Sequence, residues 1–553
     1  MQAAIYFHSE AYTTSGPKLM GRNAAGESFI TGYINHTSAE EFWAITNTQK
    51  EAQEFERKVR EMNRKEQVNL LSLSEIKRLQ EPGVLFYPGP DINDQALKRR
   101  AISGKDSDWS ICGITHTTSS AGVMDSIASW LTTSVREWDA VICTSQAVKK
   151  NVLCLLENQK EFLKDSIGAV NFHPPKLPVI PLGINTEIFE FNFTDKAKSR
   201  KELRIDEDTV VVLYVGRLSF HAKANPLAMY QALEKVAKNK KIVLLECGWH
   251  ANEYIEDAFK KAAEVVCPSV QVITLDGRKA LNRKLAWSCA DIFCSLSDNI
   301  QETFGITPIE AMAAGLPCLV SDWDGYKDTV RDGVDGFRIP TTMPTPGLGI
   351  DIANRYMLGL DNYDMYCGHA SAFVSLDFDQ LVEKLELLAT DQALRLKMGQ
   401  AAKNRAQNEF DWKQIVPKYE DLWSELSNIR RAYQQKSSSQ VRKPNQWPAR
   451  MDPYFIFESY PTQTLSMSAS ILLLENSLGD SIQKFDILNK LSMVNYTKDI
   501  NLKQKDLHLL ISKVSSKGVV LSKLLDQYDS KSRPLIYRAV IWLMKIGILK
   551  ADK

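Results

Sequence analysis

Short apolar runs separated by polar, helix-compatible stretches recur along the first part of the chain. They cover residues 4–7, 83–87, 110–115, 140–144 and 179–181, and a helical pattern begins at Glu27. Strands that alternate with helices are typical of α/β domains with a parallel sheet. The pattern predicts a Rossmann-like domain over residues 1–200.

A second series of six apolar runs follows. The runs cover residues 210–217, 241–248, 270–277, 290–297, 316–322 and 336–340. They are apolar almost throughout, which is expected of parallel strands buried on both faces. We predict a second Rossmann-like domain over residues 201–410, followed by one or two closing helices over 411–433.

The composition changes after this helical segment. Residues 434–452 are polar and basic with two prolines, which predicts a linker, and helical periodicity returns at 481–493, 505–528 and 532–549. From residue 436 onward 18 Lys and Arg face 10 Asp and Glu, so this part carries roughly +8 and the remainder roughly −7. We predict a mainly helical appendage over 453–553 that packs on the enzyme or forms an oligomer; the alternative is that 532–550 is the last helix of a helix-turn-helix or winged-helix module.

Composition excludes several classes of protein. Hydrophobic residues make up 44% and charged residues 24%, values that exclude collagen-like, coiled-coil and wholly disordered chains. The formal net charge of +1 provides no global attraction to nucleic acid or to an anionic membrane. Nine cysteines without zinc-ligand spacing are expected to be reduced thiols, and no metal site is expected.

Neither a signal peptide nor a membrane span is predicted. The first residues, MQAAIYFHSEAYTT, lack a basic segment followed by an apolar one, and no run approaches the about 18 apolar residues of a transmembrane helix. The expected compartment is the cytosol, with membrane-surface contact through the appendage left open.

The segment 298–315, DNIQETFGITPIEAMAAG, holds the most informative motif. Thr307 is predicted to be an N-cap, Pro308 the first helical residue and Glu310 the third, with Gly315 at the end of the helix. The N-terminus of this helix would then point into the crevice at the ends of the strands, where an anionic phosphate binds. The alternative is that Glu310 only closes a capping box with Thr307.

Glu302 precedes Glu310 by eight residues, on a loop where Gly305 permits close approach to a ligand. The E-x7-E spacing, followed by AMAAGLPCLVSDWDGYKDTVRDGVDGF, resembles the signature of retaining nucleotide-sugar glycosyltransferases of family four, which have the GT-B fold. The resemblance extends over about residues 1–430. It implies an α/β architecture of two Rossmann-like domains with an interdomain cleft.

The resemblance also implies roles for this motif. Glu310 would bind the ribose hydroxyls of the donor, and Glu302 would contact the transferred sugar. The backbone amides of Phe304, Gly305 and Ile306 would lie against the sugar and phosphate.

The run VVVLYVGR ends in Gly216 and Arg217, with Lys223 shortly after. These residues resemble the family's arginine and lysine that hold the donor diphosphate, although the spacing is six here where five is usual. Fixed cations at this position stabilise the charge that develops on the leaving group. Without the resemblance, both would be read as solvated surface charges.

Three further positions resemble family landmarks. His116 follows a predicted strand where relatives place a histidine near the donor sugar, although a lone histidine is more often structural. Gly26, in MGRNAAGESFI, resembles a glycine-rich loop near the donor phosphate, although a surface turn would explain it equally well and Ala25 stands where glycine is usual. Residues 278–285, beginning with Arg278, are expected to border the nucleotide base.

The predicted function is that of a retaining, metal-independent glycosyltransferase, expected to be a hexosyltransferase. Its donor would be a UDP or GDP sugar acting as co-substrate, with no other cofactor, and its acceptor a carbohydrate, a lipid-linked compound or a small molecule, as in the synthesis of cell-envelope polysaccharides or other glycans. The alternatives are a catalytically silent GT-B scaffold that senses a sugar nucleotide and acts through the appendage, and a GT-B epimerase or phosphorylase. Contact of the appendage with nucleic acid is not expected, whereas a homo-oligomer contact is left open.

Overall fold

The structure is a computed structural model that describes residues 2–13, 21–436, 447, 449–514 and 517–552. The chain divides into two compact units, residues 1–450 and 451–553. The predicted linker at 434–452 falls largely on 437–446 and 448, which lie outside the described residues.

The first domain is built on a six-stranded parallel sheet in the order β3-β2-β1-β4-β5-β6. Its strands are β1 (Ala4–Phe7), β2 (Glu41–Thr46), β3 (Gln67–Ser72), β4 (Val84–Phe86), β5 (Ser110–Ile114) and β6 (Ala140–Ile142). Its helices are α1 (Gly21–His36), α2 (Gln49–Glu61), α3 (Ile92–Ser103), α4 (Ala121–Ser129) and α5 (Gln146–Ile167).

Four of the five apolar runs predicted in this domain form strands, namely β1, β4, β5 and β6. The strand predicted at 179–181 is wrong, because Val179 forms only a single bridge with Cys143. Prolines at 178 and 181 remove backbone donors on either side of it, which prevents a longer ladder. Strands β2 and β3 were not predicted.

The second domain repeats this architecture with the order β12-β11-β10-β7-β8-β9. Its strands are β7 (Val210–Leu218), β8 (Ile242–His250), β9 (Gln271–Asp276), β10 (Ile292–Ser295), β11 (Cys318–Ser321) and β12 (Gly336–Ile339). Its helices are α6 (Phe193–Glu202), α7 (Leu227–Ala237), α8 (Glu253–Val266), α9 (Ala280–Cys289), α10 (Ile306–Ala313) and α11 (Tyr326–Thr329). All six runs predicted here form strands.

Strand order reverses at the same place in both sheets. The first strand of each domain pairs with its second strand on one side and with its fourth on the other, so that β1 lies beside β4 and β7 beside β10. In open parallel sheets, ligands bind outside the carboxyl ends of the strands at such a switch point. The loops that follow β7 and β10 are therefore where the second domain should bind a ligand.

The chain leaves the second sheet through further elements and then returns to the first domain. These elements are β13 (Thr341–Thr342), α12 (Ile350–Met357), α13 (Tyr363–Ser371), β14 (Ser375–Leu376), α14 (Phe378–Thr390), α15 (Gln392–Arg405) and α16 (Trp412–Lys436). Helix α16 is the predicted closing helix and extends three residues past 433, into the predicted linker.

Trp412, the first residue of α16, anchors this helix on the first domain. Its indole donates to Ser28 Oγ at 2.8 Å. The ring packs so closely on Gly32 and Gly183 that a Cβ would come within 2.1 Å and 2.6 Å of it, respectively. Two Rossmann-like domains, with a C-terminal helix that returns to the first, form the GT-B arrangement.

The second unit is mainly helical, as predicted, and contains a small antiparallel sheet in the order β16-β15-β17. Its elements are α17 (Pro453–Ile456), β15 (Ser470–Leu473), α18 (Leu478–Leu488), α19 (Ser492–Asn495), α20 (Gln504–Ser512), β16 (Val519–Val520), α21 (Leu521–Leu525), α22 (Arg533–Lys545) and β17 (Leu549–Asp552). A winged-helix-like character for this unit stays a prediction.

Two expectations about the whole chain can be compared with the structure. All nine cysteines are free thiols, and eight of them are buried. No helix in the described part of the chain is both long and apolar enough to cross a membrane.

A buried ion pair joins helix α3 to the end of the first sheet. Arg99 and Asp139 form two parallel hydrogen bonds of 2.7 and 2.8 Å, and both side chains are fully buried. Arg99 also donates to the carbonyls of Trp109 and Ser134, while Asp139 accepts from the amide of Ile111. The pair therefore satisfies backbone groups at the start of β5 as well as its own charges.

We expect Asp139→Asn to destabilise the first domain strongly, because it leaves the Arg99 guanidinium buried without its counter-charge. Removing one partner of a buried pair costs about 3–5 kcal/mol. The matched control is Glu81→Gln, which breaks the solvent-exposed pair with Arg78 and should leave the unfolding midpoint almost unchanged. Urea unfolding followed by circular dichroism measures both, and equal midpoints for the two variants would contradict the assignment.

Candidate active site

Two loops of the second domain meet at the switch point of its sheet. Strands β7 and β10 are paired there, with Val212 opposite Ile292. Arg217 lies at the end of β7, the loop after β7 carries Lys223, and the loop after β10 carries Glu302. Side chains far apart in sequence are thereby brought to one edge.

Arg217 is fixed by acceptors from both loops. Its Nη2 donates to Gln301 Oε1 at 3.0 Å and to the carbonyl of Ala222 at 2.6 Å. Its Nη1 lies 4.0 Å from the carboxylate of Asp364. The guanidinium is thus held beside the second loop while its side chain remains 20% exposed.

Lys223 forms an ion pair with Glu302, with 2.5 Å between Nζ and Oε2. The lysine reaches this position because the chain turns tightly before it, with the amide of Lys223 donating to the carbonyl of Ser219. The longer spacing between Arg217 and Lys223 therefore does not keep the lysine away from the motif.

Glu302 is held in its ionised form. Burial would raise its pKa, but the Lys223 ammonium and the amides of Thr303 and Gly305 outweigh burial and lower the pKa below its ordinary value. The predicted contact of the Gly305 amide with a ligand is thus in competition with a contact inside the loop, because this amide faces the Glu302 carboxylate.

Gly305 is required by the packing of its loop. Its φ is +76°, and a Cβ would come within 2.0 Å of the Tyr326 ring. Tyr326 is fixed in turn by a hydrogen bond of 2.9 Å with Ser295. Because Gly305 has no side chain, its backbone can pack against this ring, and α10 begins at the next residue.

The helix therefore begins earlier than predicted. Gly305 is the N-cap of α10 and Ile306 its first residue, so the predicted N-cap at Thr307 and its capping box with Glu310 are wrong. Pro308 becomes the third helical residue, where its missing N–H is still outside the helical ladder. Phe304 is buried as a whole residue, so the predicted contact of its amide with a ligand stays a prediction.

Glu310 has no hydrogen bond or ion pair with any residue that the structure describes. Burial raises its pKa to about 7, and nearby Arg283 only partly opposes this. Arg283 donates to the carbonyls of Gly277 and Arg278. Arg278, the predicted donor-binding residue, instead pairs with Asp276 and is half exposed. Within the predicted segment 278–285, Arg283 is the residue that lies near Glu310.

Two predicted glycines have packing roles. Gly216 ends the straight part of β7, and a Cβ on Gly248 of β8 would come within 2.0 Å of its carbonyl oxygen. Gly26 lies inside α1 rather than in a loop, so the predicted glycine-rich loop is wrong at this residue. A Cβ at Gly26 would come within 2.0 Å of the Ala11 carbonyl oxygen, which explains the need for glycine.

The first domain closes over the Glu302 loop. The carbonyl of His116, directly after β5, accepts a hydrogen bond from Thr303 Oγ1 at 3.2 Å. Ser145 donates to Asp324 at 3.4 Å, and the amide of Gln146 donates to Asp328 at 2.6 Å. His116 is thereby brought next to Glu302, although it comes from the other domain.

Three polar residues of this region were not predicted. Gln301 joins Arg217 to the motif. Asp298 is buried with its Oδ1 unpaired, and burial raises its pKa to about 7. Asp324 has a positive φ of 43°, and its pKa is raised by burial and by Glu302. Asp298 and Gln301 lie in the motif itself, whereas Asp324 has no sequence signal beyond its proximity to Gly325.

The raised pKa of Glu310 makes stability depend on pH. The unfolded chain ionises this carboxyl near pH 4.5, whereas the folded chain ionises it near pH 7. The free energy of unfolding is therefore highest, as far as this group is concerned, below about pH 4.5, and it falls as the pH rises through 7. We expect Glu310→Gln to gain stability relative to wild type between pH 5 and 8, by up to roughly 3 kcal/mol.

Thermal unfolding of the ligand-free protein across this pH range measures the effect. The matched control is Glu187→Gln at an exposed position. A Glu310→Gln difference that stays constant with pH would contradict the buried, neutral state of this side chain.

Comparison with known proteins identifies the second domain. Residues 195–345 match the family described as Glycosyl transferases group 1. An uncharacterized glycosyltransferase of Methanocaldococcus jannaschii is 28% identical over 209 residues, which cover 36% of this chain and 50% of that protein. The D-inositol 3-phosphate glycosyltransferase of Corynebacterium glutamicum is 24% identical over 288 residues, covering 51% and 60% respectively.

Among solved structures, Anabaena HepE in complex with UDP and glucose covers 77% of this chain and 100% of its own, with 14% identity and a TM-score of 0.48. The chain spans between 50% and 60% of the length of the two curated relatives above. The matched segment contains Arg217, Lys223, Glu302 and Glu310. The second domain therefore matches the group 1 glycosyltransferases, and it stands beside a first parallel sheet in the GT-B arrangement.

Proposed function

We propose that the protein transfers a sugar from a nucleoside-diphosphate sugar, bound mainly by the second domain, to an acceptor bound mainly by the first. The observation that supports this most is the meeting of Arg217, Lys223 and Glu302 at the ends of β7 and β10. Two cations beside one carboxylate suit a substrate that carries a diphosphate next to a sugar.

Arg217 and Lys223 are assigned to the leaving diphosphate. As the glycosidic bond breaks, negative charge grows on the phosphate oxygen, and fixed cations favour this state over the ground state. Both side chains are already held in place, so little reorganisation is needed when the donor binds. In this proposal, the two side chains supply the charge that a divalent ion would otherwise provide.

Glu302 is assigned to the transferred sugar as a contact rather than as a covalent nucleophile. Its carboxylate is engaged by Lys223 and by two backbone amides, which reduces its nucleophilicity. Retention of anomeric configuration is proposed from the family resemblance, with the departing phosphate accepting the proton of the acceptor hydroxyl. His116 would face the donor sugar from the first domain.

Glu310 is assigned to the donor ribose. Glu310 is only partly exposed, and a carboxyl that has lost most of its water without gaining a partner is costly, so hydroxyl groups of a ligand would satisfy it. Helix α10 carries Glu310 one turn beyond its N-terminus, and Arg283 lies on the same side. A nucleoside that spans from Arg217 to Glu310 would occupy the crevice at the switch point.

The proposed donors are UDP or GDP hexoses, and the proposed acceptors are a carbohydrate, a lipid-linked compound or a small molecule. Glycan synthesis on the cytosolic side of the cell envelope would use such a reaction. Contact between the two domains beside Glu302 would exclude water and suppress hydrolysis of the donor.

Incubation with UDP-glucose, UDP-N-acetylglucosamine and GDP-mannose, with detection of released nucleoside diphosphate, tests the proposal. We expect Arg217→Ala and Glu310→Ala to lower kcat/KM by about 10²–10³-fold, because each removes a buried or fixed contact to the donor. The control Arg57→Ala removes a surface cation that pairs with Glu61 on the same helix and should leave turnover unchanged.

Three results would overturn this assignment. If the wild-type protein binds none of the three donors, the proposed sugar transfer has no substrate. Binding without turnover, unaffected by acceptor, would favour the silent sugar-nucleotide sensor that acts through the second unit, whereas turnover without acceptor would favour an epimerase.

Turnover is expected to persist in excess EDTA, because Arg217 and Lys223 are proposed to neutralise the diphosphate. The measurement compares initial rates with and without the chelator at a fixed donor concentration. Loss of activity that Mg²⁺ or Mn²⁺ restores would refute metal independence while leaving sugar transfer intact.

A further inference from the structure

A pair of helices outside the family-matched segment reaches across the cleft. Helices α12 and α13, residues 350–371, follow residue 345, where the match ends, and are called the arm below. The turn between them is fixed by Asp361, which accepts from Arg355 at 2.9 Å and lies 2.8 Å from His369. Helix α12 has no buried residue, so the body of the protein holds it weakly.

Two tyrosine hydroxyls join the arm to the first domain. The hydroxyl of Tyr363 lies 3.0 Å from Thr117 Oγ1 and 3.0 Å from Ser119 Oγ. The hydroxyl of Tyr356 accepts from the amide of Ala121 at 2.9 Å. Both contacts fall on the loop that starts at His116 and leads into α4.

Tyr363 also faces the candidate diphosphate site. Its hydroxyl lies beside the side chain of Gln301, whose oxygen accepts from Arg217 at 3.0 Å. Neighbouring polar side chains therefore lead from Arg217 through Gln301 and Tyr363 to Thr117 and Ser119. This polar chain connects the cation of one domain to the polar loop of the other.

The arm touches the Arg217 loop at a second place. Gly368 packs on His221 so closely that a Cβ would come within 2.9 Å of the His221 Cβ. The carboxylate of Asp364 lies 4.0 Å from Arg217. The arm is thus packed against Arg217 and the loop that follows it, while its two tyrosines contact the opposite domain.

We propose that Tyr363 is a positioning residue that makes the orientation of Arg217 depend on closure of the two domains, with Tyr356 fastening the arm beside it. When the domains are together, Thr117 and Ser119 orient the Tyr363 hydroxyl, which orients Gln301 and through it the guanidinium. When they part, this chain breaks and Arg217 loses its alignment. The inference rests on the proposed function, since it gives Arg217 the diphosphate as its ligand.

Tyr363→Phe tests this by removing a single hydroxyl. With the donor of the panel that wild type turns over fastest, we expect kcat to fall about tenfold or more with a smaller change in KM, because misalignment affects the transition state most. In the Arg217→Ala background the same change should have almost no further effect. Additive losses in the double variant would overturn the proposal, because an independent structural role predicts additivity.

Tyr366→Phe is the matched control on the same helix. Its ring stacks on Tyr356 with centroids 4.3 Å apart, and its hydroxyl has no hydrogen-bond partner among the described residues. It should leave kcat and KM within about twofold of wild type. If Tyr366→Phe lowers kcat as much as Tyr363→Phe does, both effects come from the stability of the arm, and the specific role of Tyr363 is overturned.

Hydrogen exchange of the ligand-free protein tests the chain without any donor. Tyr363→Phe and Tyr356→Phe should speed exchange at residues 117–121 and 217–223, whereas Tyr366→Phe should not. Unchanged exchange in Tyr363→Phe would refute the coupling. If wild type turns over no donor, the proposed function fails, and this measurement still decides whether the arm couples the domains.

Discussion

The ion pair between Lys223 and Glu302 is the interaction on which the rest of the candidate site depends. Glu302 keeps only 9% of its side chain exposed, and an unpaired carboxylate at that depth would be costly. The pair joins the loops after two adjacent strands and so fixes both at the switch point. Once these loops are fixed, Gln301 can hold Arg217 and the chain can enter α10 at Gly305. One electrostatic contact thus determines where a diphosphate and a sugar would meet.

Two carboxyl groups eight residues apart are given different protonation states by their surroundings. Burial would raise the pKa of Glu302, but the Lys223 ammonium and two backbone amides lower it. For Glu310, burial raises the pKa to about 7, and Arg283 opposes this only in part. The ionised group suits contact with a sugar beside the cations. A carboxyl that titrates near pH 7 can accept hydrogen bonds in either form and donate one when protonated, which suits a pair of ribose hydroxyls. The environment, rather than the residue type, separates the two roles.

Much of the fold could be read from the sequence because parallel strands buried on both faces are continuous apolar runs. Strand β3 is an edge strand that is largely half-buried, so its QVNLLS lacks this signal, whereas β2 has an apolar run of the same kind and could have been found. The start of α10 could not be predicted, because the left-handed backbone of Gly305 depends on contact with the Tyr326 ring. Tyr363 and Thr117 are 246 residues apart, and no local pattern links them. Residues of the motif were predictable, whereas those that position them come from tertiary contacts.

The two domains of the first unit are joined by contacts of unequal strength. Beside the candidate site the contacts are hydrogen bonds made by Thr303, Ser145, Gln146, Tyr356 and Tyr363, and each contributes only about 1–2 kcal/mol because water competes for the same groups. Where α16 returns to the first domain, Trp412 is fully buried against Gly32, Gly183 and Phe29, and such an aromatic contributes several times more. The polar side can therefore separate at a small cost while the apolar side holds. A hydrogen-bond chain placed on the separable side, ending at Arg217, is where a change in domain arrangement would have its greatest effect on the chemistry.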